Sequence, residues 1–197
     1  AWRIELLRLH LSSNFTIIFK SYNWDRNNAN VYKKNIDLEI LELCASQARK
    51  IGSNSHCDDS LSISITNSEK LKTLNKKYLG ENKPTDVLSF PNKLDWEEGV
   101  RDIMSKDEFN NENYLGDIFI SFEKIIEHSI LYKTGKTLEL NIILAHGILH
   151  LLGYDHYDDR SRIKINDLTV DIIKNLNLDY KKAKISLELR NEWKSFI

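Results

Sequence analysis

Three histidines lie close together in the last third of the chain, and their spacing is typical of a metal site. His146, His150 and His156 fall within the eleven-residue run His-Gly-Ile-Leu-His-Leu-Leu-Gly-Tyr-Asp-His. Residues i and i+4 of a helix share one face, so the first two can bind one ion together. Gly153 can adopt a positive φ and end the helix, which would return the third histidine to the same ion. Three imidazoles at ~2.0–2.1 Å leave a fourth tetrahedral position open, as in catalytic zinc sites.

The residue after the first histidine distinguishes two kinds of hydrolytic site. Metalloproteases with a His-Glu-x-x-His helix use the glutamate as general base for a zinc-bound water. Here that position is Gly147, although the wider histidine spacing matches one class of these proteases. Asp155, beside the third histidine, is a candidate catalytic residue that could orient an imidazole or accept a proton. An Asx-type turn residue is the alternative for Asp155.

The segments around the histidines alternate between strand and helix patterns. Strands are predicted at 15–24, 61–66, 86–90 and 115–121, and helices at 36–52, 67–80, 122–133, 137–152 and roughly 160–176. This interleaving predicts a small α/β fold, with helices packed on a mixed sheet of about four strands. We predict one domain at 15–178, an N-terminal extension at 1–14 and a C-terminal tail at 179–197. Residues 92–114 are polar and rich in turn residues, which is typical of a surface loop.

The composition is that of an ordinary globular protein. The chain has 197 residues, of which 41% are hydrophobic and 29% charged, and its formal net charge is −1. Overall charge therefore gives no indication of a nucleic-acid partner, and any basic surface must be local. No apolar run approaches the ~18–20 residues that span a membrane, so no membrane partner is expected. Cys44 is predicted to be a buried apolar residue, and His10, His56 and His128 are predicted to have no role in the site.

Three segments together resemble one known protein family. The run from His146 to His156 resembles the signature of the YbeY family, bacterial and organellar endoribonucleases that mature ribosomal RNA. The segments LNKKYLGENKPTDVLSFP at 74–91 and LGDIFIS at 115–121 are similar to that family's other characteristic segments, in the same order and with similar spacing. The resemblance covers roughly residues 15–178.

This resemblance implies a function for the chain. It implies a zinc ion on the three histidines and metal-dependent cleavage of single-stranded RNA. The expected substrate is the small-subunit rRNA precursor, in rRNA maturation and ribosome quality control. The family fold is also a small α/β sandwich.

One position departs from the family pattern. The family usually carries an arginine between the Tyr and Gly of its YxG segment, and this chain has Leu79 there. An arginine can clamp a phosphate with its planar fork, whereas a leucine cannot. Lys76, Lys77 and Lys83 are candidate RNA-binding residues nearby, because lysines can contact phosphates as point charges.

Three functional hypotheses follow from these observations. The first is a zinc-dependent, single-strand-specific endoribonuclease, with other divalent transition metals as alternatives. The second is an assembly factor that binds RNA or ribosomal proteins and cuts little. The third is a metalloprotease, disfavoured by the missing glutamate. The expected compartment is the bacterial cytoplasm, or an organelle if a leader preceded Ala1.

Overall fold

The central element of the fold is a five-stranded mixed sheet. The computed structural model describes residues 36–53, 59–92 and 114–190 in full, and the backbone alone of 5–11 and 15–21. The strands are β1 (Glu5–Leu11), β2 (Phe15–Ser21), β3 (Ser60–Thr66), β4 (Val87–Pro91) and β5 (Tyr114–Ser121). Their order across the sheet is β1-β2-β3-β5-β4. The predicted loop at 92–114 lies almost wholly outside the described residues.

The sheet contains both parallel and antiparallel pairs of strands. β1 is antiparallel to β2, with Glu5 opposite Ser21 and Leu11 opposite Phe15. β2 and β5 both run parallel to β3. β4 is antiparallel to β5 and forms the edge of the sheet, with Val87 opposite Ile120. Consecutive parallel strands require a crossover, and a helix supplies the connection between β2 and β3.

Six helices are described, and polar side chains begin most of them. They are α1 (Leu38–Gly52), α2 (Ser68–Leu79), α3 (Phe122–Leu131), α4 (Lys136–Leu151), α5 (Asp159–Asn175) and α6 (Tyr180–Leu189). Asn67 accepts from the Lys70 N–H to begin α2, and Asp158 accepts from the Ser161 N–H to begin α5. Such side chains satisfy amide groups that have no partner inside the helix.

The two faces of the sheet bury separate apolar clusters. Val87 belongs to the larger cluster and Leu88 to the smaller one, because successive side chains of a strand point to opposite faces. Helix α4 packs on the first face, where Gly147 approaches Val87 and Ile118. Helix α2 packs on the second face, where Leu71 joins the smaller cluster. The larger cluster contains most of the core and surrounds α4.

The predicted α/β class is confirmed, and the predicted count of about four strands was slightly wrong. The additional strand is β1, which lies in the segment predicted to be an extension. It runs antiparallel to β2, and Leu11 at its end lies opposite Phe15 at the start of β2. Helix α6 lies within the predicted tail and packs on α5 and α4. In the described part of the chain, none of the helices has the length and apolar character needed to cross a membrane.

Candidate metal centre

Helix α4 lies in the middle of the protein and contains two of the three histidines, His146 and His150. Its sequence is apolar on almost every face, which is typical of a helix buried on all sides, and it packs against α1, α3, α5, β4 and β5. The helix ends in a Schellman turn, in which Gly153 N–H donates to the His150 carbonyl and Tyr154 N–H to the Leu149 carbonyl, each at 3.0 Å. Gly153 has φ +89°, a conformation that other residues rarely adopt. This turn reverses the chain toward the site, as the sequence predicted.

The reversal brings the three imidazoles together. Nε2 of His146 lies 3.0 Å from Nε2 of His150 and 3.3 Å from Nε2 of His156. The three could hold a metal ion, because their candidate ligand atoms all lie within 4.8 Å of one another. Three donors at ~2.0–2.1 Å from one tetrahedral ion lie roughly 3.3 Å apart, so the observed spacing fits a shared ion.

A backbone carbonyl fixes the orientation of the middle histidine. His150 Nδ1 lies 2.8 Å from the carbonyl oxygen of Tyr154, so the ring donates from Nδ1 and leaves Nε2 with a lone pair toward its two partners. Metal-binding histidines are commonly oriented by a hydrogen bond of this kind. The Tyr154 hydroxyl in turn donates to the Gly52 carbonyl at 3.1 Å, which anchors the turn to α1.

The surroundings keep all three imidazoles neutral, which is the form that binds metal. Burial lowers the pKa of His146 well below its ordinary value of 6.5, and the neighbouring histidines lower it further. Burial also lowers the pKa of His150 to about 4. The pKa of His156 is lowered by burial, while Asp155 opposes the shift and the charge of Arg162 adds to it.

Close packing explains the glycine that follows the first histidine. A Cβ atom on Gly147 would lie 3.2 Å from Ser89 Oγ, 3.2 Å from Val87 Cγ2 and 3.3 Å from Ile118 Cγ2. The Ser89 hydroxyl also donates to the Gly147 carbonyl at 3.0 Å. This position therefore faces the sheet and has no room for the glutamate of a metalloprotease.

Asp155 contacts the third histidine directly. Its Oδ1 accepts from the backbone N–H of His156 at 2.7 Å and lies 3.5 Å from Nδ1 of the same residue. The Asp155 side chain is 19% exposed, whereas that of His156 is 1% exposed. The carboxylate can therefore orient the imidazole from one side and meet solvent or substrate on the other.

The candidate RNA-binding lysines lie elsewhere on the fold. Lys76 and Lys77 are exposed on α2, which packs on the sheet face opposite α4. Lys83 is exposed in the connection to β4, where it pairs with Glu81 at 2.9 Å. Leu79 packs partly against the smaller apolar cluster. The spacing of the histidines did not indicate which face of the sheet these residues would occupy.

One buried cluster was not predicted from the sequence. Arg190, just after α6, donates to Asp86 and Glu139, and His128 Nδ1 lies 3.5 Å from Asp86 Oδ2. His128 was expected to have no role in the metal site, and it is buried among these charges. His56 lies outside the described residues, and only the backbone of His10 is described. Cys44 is fully buried, as predicted, and burial raises the pKa of its thiol.

Comparison with known proteins finds relatives that are all named Endoribonuclease YbeY. A family model described as Endoribonuclease YbeY matches residues 22–177. An Endoribonuclease YbeY of Syntrophomonas wolfei is 37% identical over 149 residues, which cover 75% of this chain and 91% of that protein. Another, from Acetivibrio thermocellus, is 40% identical over 121 residues, with coverage of 60% and 74%. A solution structure from Thermotoga maritima aligns at 21% identity with a TM-score of 0.44, over 82% of this chain and 91% of that chain.

Proposed function

Because this chain belongs to the endoribonuclease YbeY family, we propose that it is a zinc-dependent endoribonuclease specific for single-stranded RNA. Family membership makes it a hydrolase that acts on RNA. We further propose that its substrate is the small-subunit rRNA precursor and that it acts in rRNA maturation and ribosome quality control.

The convergence of His146, His150 and His156 carries this proposal. Nε2 of His146 lies 3.0 Å from that of His150 and 3.3 Å from that of His156. The His150 ring donates from Nδ1, so its Nε2 offers a lone pair to a shared cation. A set of three nitrogen ligands is typical of catalytic zinc, which keeps one position for water or substrate. Imidazole also suits nickel, copper and iron, so these ions are the alternatives to zinc.

Each residue of the site has a proposed task. The three histidines would hold the ion, which when bound lowers the pKa of water and offsets charge on the phosphoryl oxygens. Tyr154 holds His150 in the required tautomer through its carbonyl. Asp155 is proposed to orient His156 and to accept the proton of the nucleophile, because its carboxylate is partly exposed beside that ligand.

The substrate must also be held against the site by positive charge. We propose that Lys76, Lys77 and Lys83 contact the RNA backbone outside the immediate site, since all three are exposed.

We propose that residues 15–178 form the ribonuclease domain, with an N-terminal extension at 1–14 and a C-terminal tail at 179–197. The bacterial cytoplasm, or an organelle, is proposed as its compartment.

Cleavage of an end-labelled single-stranded RNA tests this function. The metal-loaded chain is compared with its His150→Ala variant and with a chelated sample. We expect cleavage by the loaded wild-type chain alone, with double-stranded RNA left intact. The product ends identify the nucleophile, because a 2′,3′-cyclic phosphate means attack by the ribose 2′-hydroxyl and a linear phosphate at the first turnover means attack by water. Equal cleavage by His150→Ala would contradict the proposal.

A second candidate is an assembly factor that binds RNA or a ribosomal protein and cuts little. Leu79, in place of the family arginine, is the observation that favours it, because leucine cannot clamp a phosphate. Tight binding of metal and RNA without turnover would select this function. A metalloprotease is not supported, because Gly147 leaves no room for a base.

A further inference from the structure

One face of α4 carries Glu139 together with His146 and His150. Glu139 lies seven residues before His146, and His150 lies four residues after it. Steps of seven and four return to almost the same side of an α-helix, so the three side chains form one polar stripe. Glu139 is fully buried and His146 is almost so. The direction in which this stripe points therefore decides where the two histidines aim their ring nitrogens.

Arg190 and Thr134 fix the first residue of this stripe. Nη2 of Arg190 donates to Oε1 of Glu139, and the Thr134 hydroxyl donates to Oε2 at 2.7 Å. Both oxygens of the buried carboxylate are therefore held. Gly135, which precedes the first turn of α4, provides no side-chain hydrogen bond to cap the helix. The contacts of Glu139 thus supply the polar anchor that a capping side chain provides in other helices.

The same guanidinium also holds the strand that packs beside α4. Nη1 of Arg190 donates to Oδ2 of Asp86 at 3.0 Å, and Asp86 directly precedes β4. Within β4, the Ser89 hydroxyl donates at 3.0 Å to the carbonyl of Gly147, the residue after His146. Helix α4 and strand β4 are therefore joined by polar contacts at two places, one through Arg190 and one beside the first histidine.

The rotation of α4 about its own axis must be set accurately for a metal site. Side-chain atoms lie about 5–6 Å from a helix axis, so a rotation of about 10° moves a ligand atom by about 1 Å. Metal–ligand distances tolerate changes of only ~0.2 Å. The burial of apolar surface has no preferred direction, whereas a hydrogen bond between charged groups has one. A charged anchor on the histidine face therefore adds a restraint on rotation that burial alone does not supply.

We infer that Arg190 is a positioning residue for the metal centre, which acts through Glu139 to set the rotation of α4 and so the aim of His146 and His150. The inference rests on the metal site of the proposed function and adds to it a residue that is distant in sequence. Arg190 follows α6 and lies beyond residue 177, where the family match ends. The C-terminal segment thus contributes to the metal centre through α4.

The zinc affinity of the full chain tests this role. Competition with a chromogenic chelator gives the Kd for Zn²⁺ of wild type, Arg190→Met and Arg190→Lys. We expect Kd to rise about 10-fold in both variants, as when a partner that orients a metal ligand is lost. Lysine keeps the charge but cannot bridge two carboxylates as a planar guanidinium does, so Arg190→Lys tests the bridge even where Arg190→Met does not fold. An unchanged Kd in Arg190→Lys would contradict the inference.

A destabilised control separates positioning from loss of stability. Leu71→Ala removes a fully buried side chain from the smaller apolar cluster, on the sheet face opposite α4, and leaves a cavity there. We expect Leu71→Ala to lower the free energy of unfolding at least as much as Arg190→Lys does, and yet to bind zinc like wild type. Equal weakening of zinc binding in the two variants would show that Arg190 acts only through overall stability.

The absorption spectrum of bound Co²⁺ reports the arrangement of the ligands. Its visible bands depend on coordination geometry, and a saturating concentration of metal removes the effect of affinity. We expect Arg190→Lys to shift or weaken these bands, whereas Leu71→Ala should reproduce the wild-type spectrum. Identical spectra in all three chains would show that the histidines keep their arrangement without Arg190.

A double-mutant cycle tests whether Arg190 acts through Glu139. Glu139→Gln keeps the shape of the side chain and removes its charge. The losses of zinc affinity in Arg190→Lys and Glu139→Gln should then be less than additive in the double variant. Strictly additive losses would show that the two residues act on the centre independently.

The same measurements distinguish this inference from the proposed function. If wild type binds zinc and cleaves no RNA, the ribonuclease proposal is wrong, and weaker zinc binding by Arg190→Lys still supports the role of Arg190. If wild type cleaves RNA and Arg190→Lys matches it in Kd and in Co²⁺ spectrum, the role of Arg190 is wrong and the function stands. If wild type binds neither Zn²⁺ nor Co²⁺, both are wrong.

Discussion

Arg190 donates from Nη1 to Oδ2 of Asp86 at 3.0 Å, across 104 residues of sequence. Its other terminal nitrogen, Nη2, donates to Glu139, and all three side chains are almost fully buried. Asp86 directly precedes β4, and Glu139 is in the first turn of α4. One guanidinium after α6 therefore connects the edge strand to the helix that carries two of the histidines.

Replacement of this arginine should strongly destabilise the fold. Arg190→Met would leave two buried carboxylates without their cation, and loss of one partner from a buried ion pair costs ~3–5 kcal/mol. Arg162→Met is the matched control, because Arg162 pairs with Asp159 at the surface, where a pair contributes at most ~1 kcal/mol. Urea denaturation measures the free energy of unfolding of both variants. A loss for Arg190→Met no larger than that of the control would show that the cluster contributes little.

The convergence of the histidines could be predicted from the sequence, whereas the cluster around Arg190 could not. The histidines are close together in the sequence, and the residues of the cluster are far apart in it. His146 and His150 are one helical turn apart, and Gly153 provides a local reason for the return to His156. Arg190 meets Asp86 only after the whole sheet has formed, and no periodic pattern indicates that pairing. The segment at 180–189 also lacks a strong apolar stripe, so its helical structure was not predicted.

Introduction of side chains at Gly147 should show how closely α4 packs on the sheet. Gly147→Ala should cost ~1–3 kcal/mol, the usual range for overpacking a core, because its Cβ would meet Ser89 and Val87 at 3.2 Å. Gly147→Glu should cost more and create no protease activity. A double-mutant cycle with Ser89→Ala checks the cause, since removal of Oγ should recover part of the loss. Strictly additive effects would place the cost elsewhere.

Acid should destabilise the metal-free chain through the same histidines that we propose as metal ligands. Burial holds the pKa of His150 at about 4, below its ordinary value of 6.5. The unfolded chain therefore takes up protons as the pH falls below 6.5, while the folded chain does not. Folding free energy should be lost between about pH 6.5 and pH 4, by up to ~1.4 kcal/mol per pH unit for this residue. Urea denaturation at several pH values measures the loss.

Two comparisons identify the histidines as the source of this pH dependence. A His150→Gln variant without metal should lose less stability over the same range, because one titrating group is gone. The metal-loaded wild-type chain should keep its stability to lower pH, because the ion binds only the neutral imidazoles of the folded chain. An identical acid response of the variant and the wild type would assign the effect to other groups.

The strained turn at Gly153 should matter for metal affinity as well as for stability. Gly153→Ala meets no neighbouring atom within 4 Å, so its cost comes from φ +89° alone, about 1–2 kcal/mol. Gly80→Ala is the matched control, with φ +74° and equally open space at the end of α2. Both variants should lose similar stability without metal, but only Gly153→Ala should weaken zinc binding, by up to about tenfold. Competition with a chromogenic chelator measures this, and equal zinc affinities in the two variants would show that the turn does not position His156.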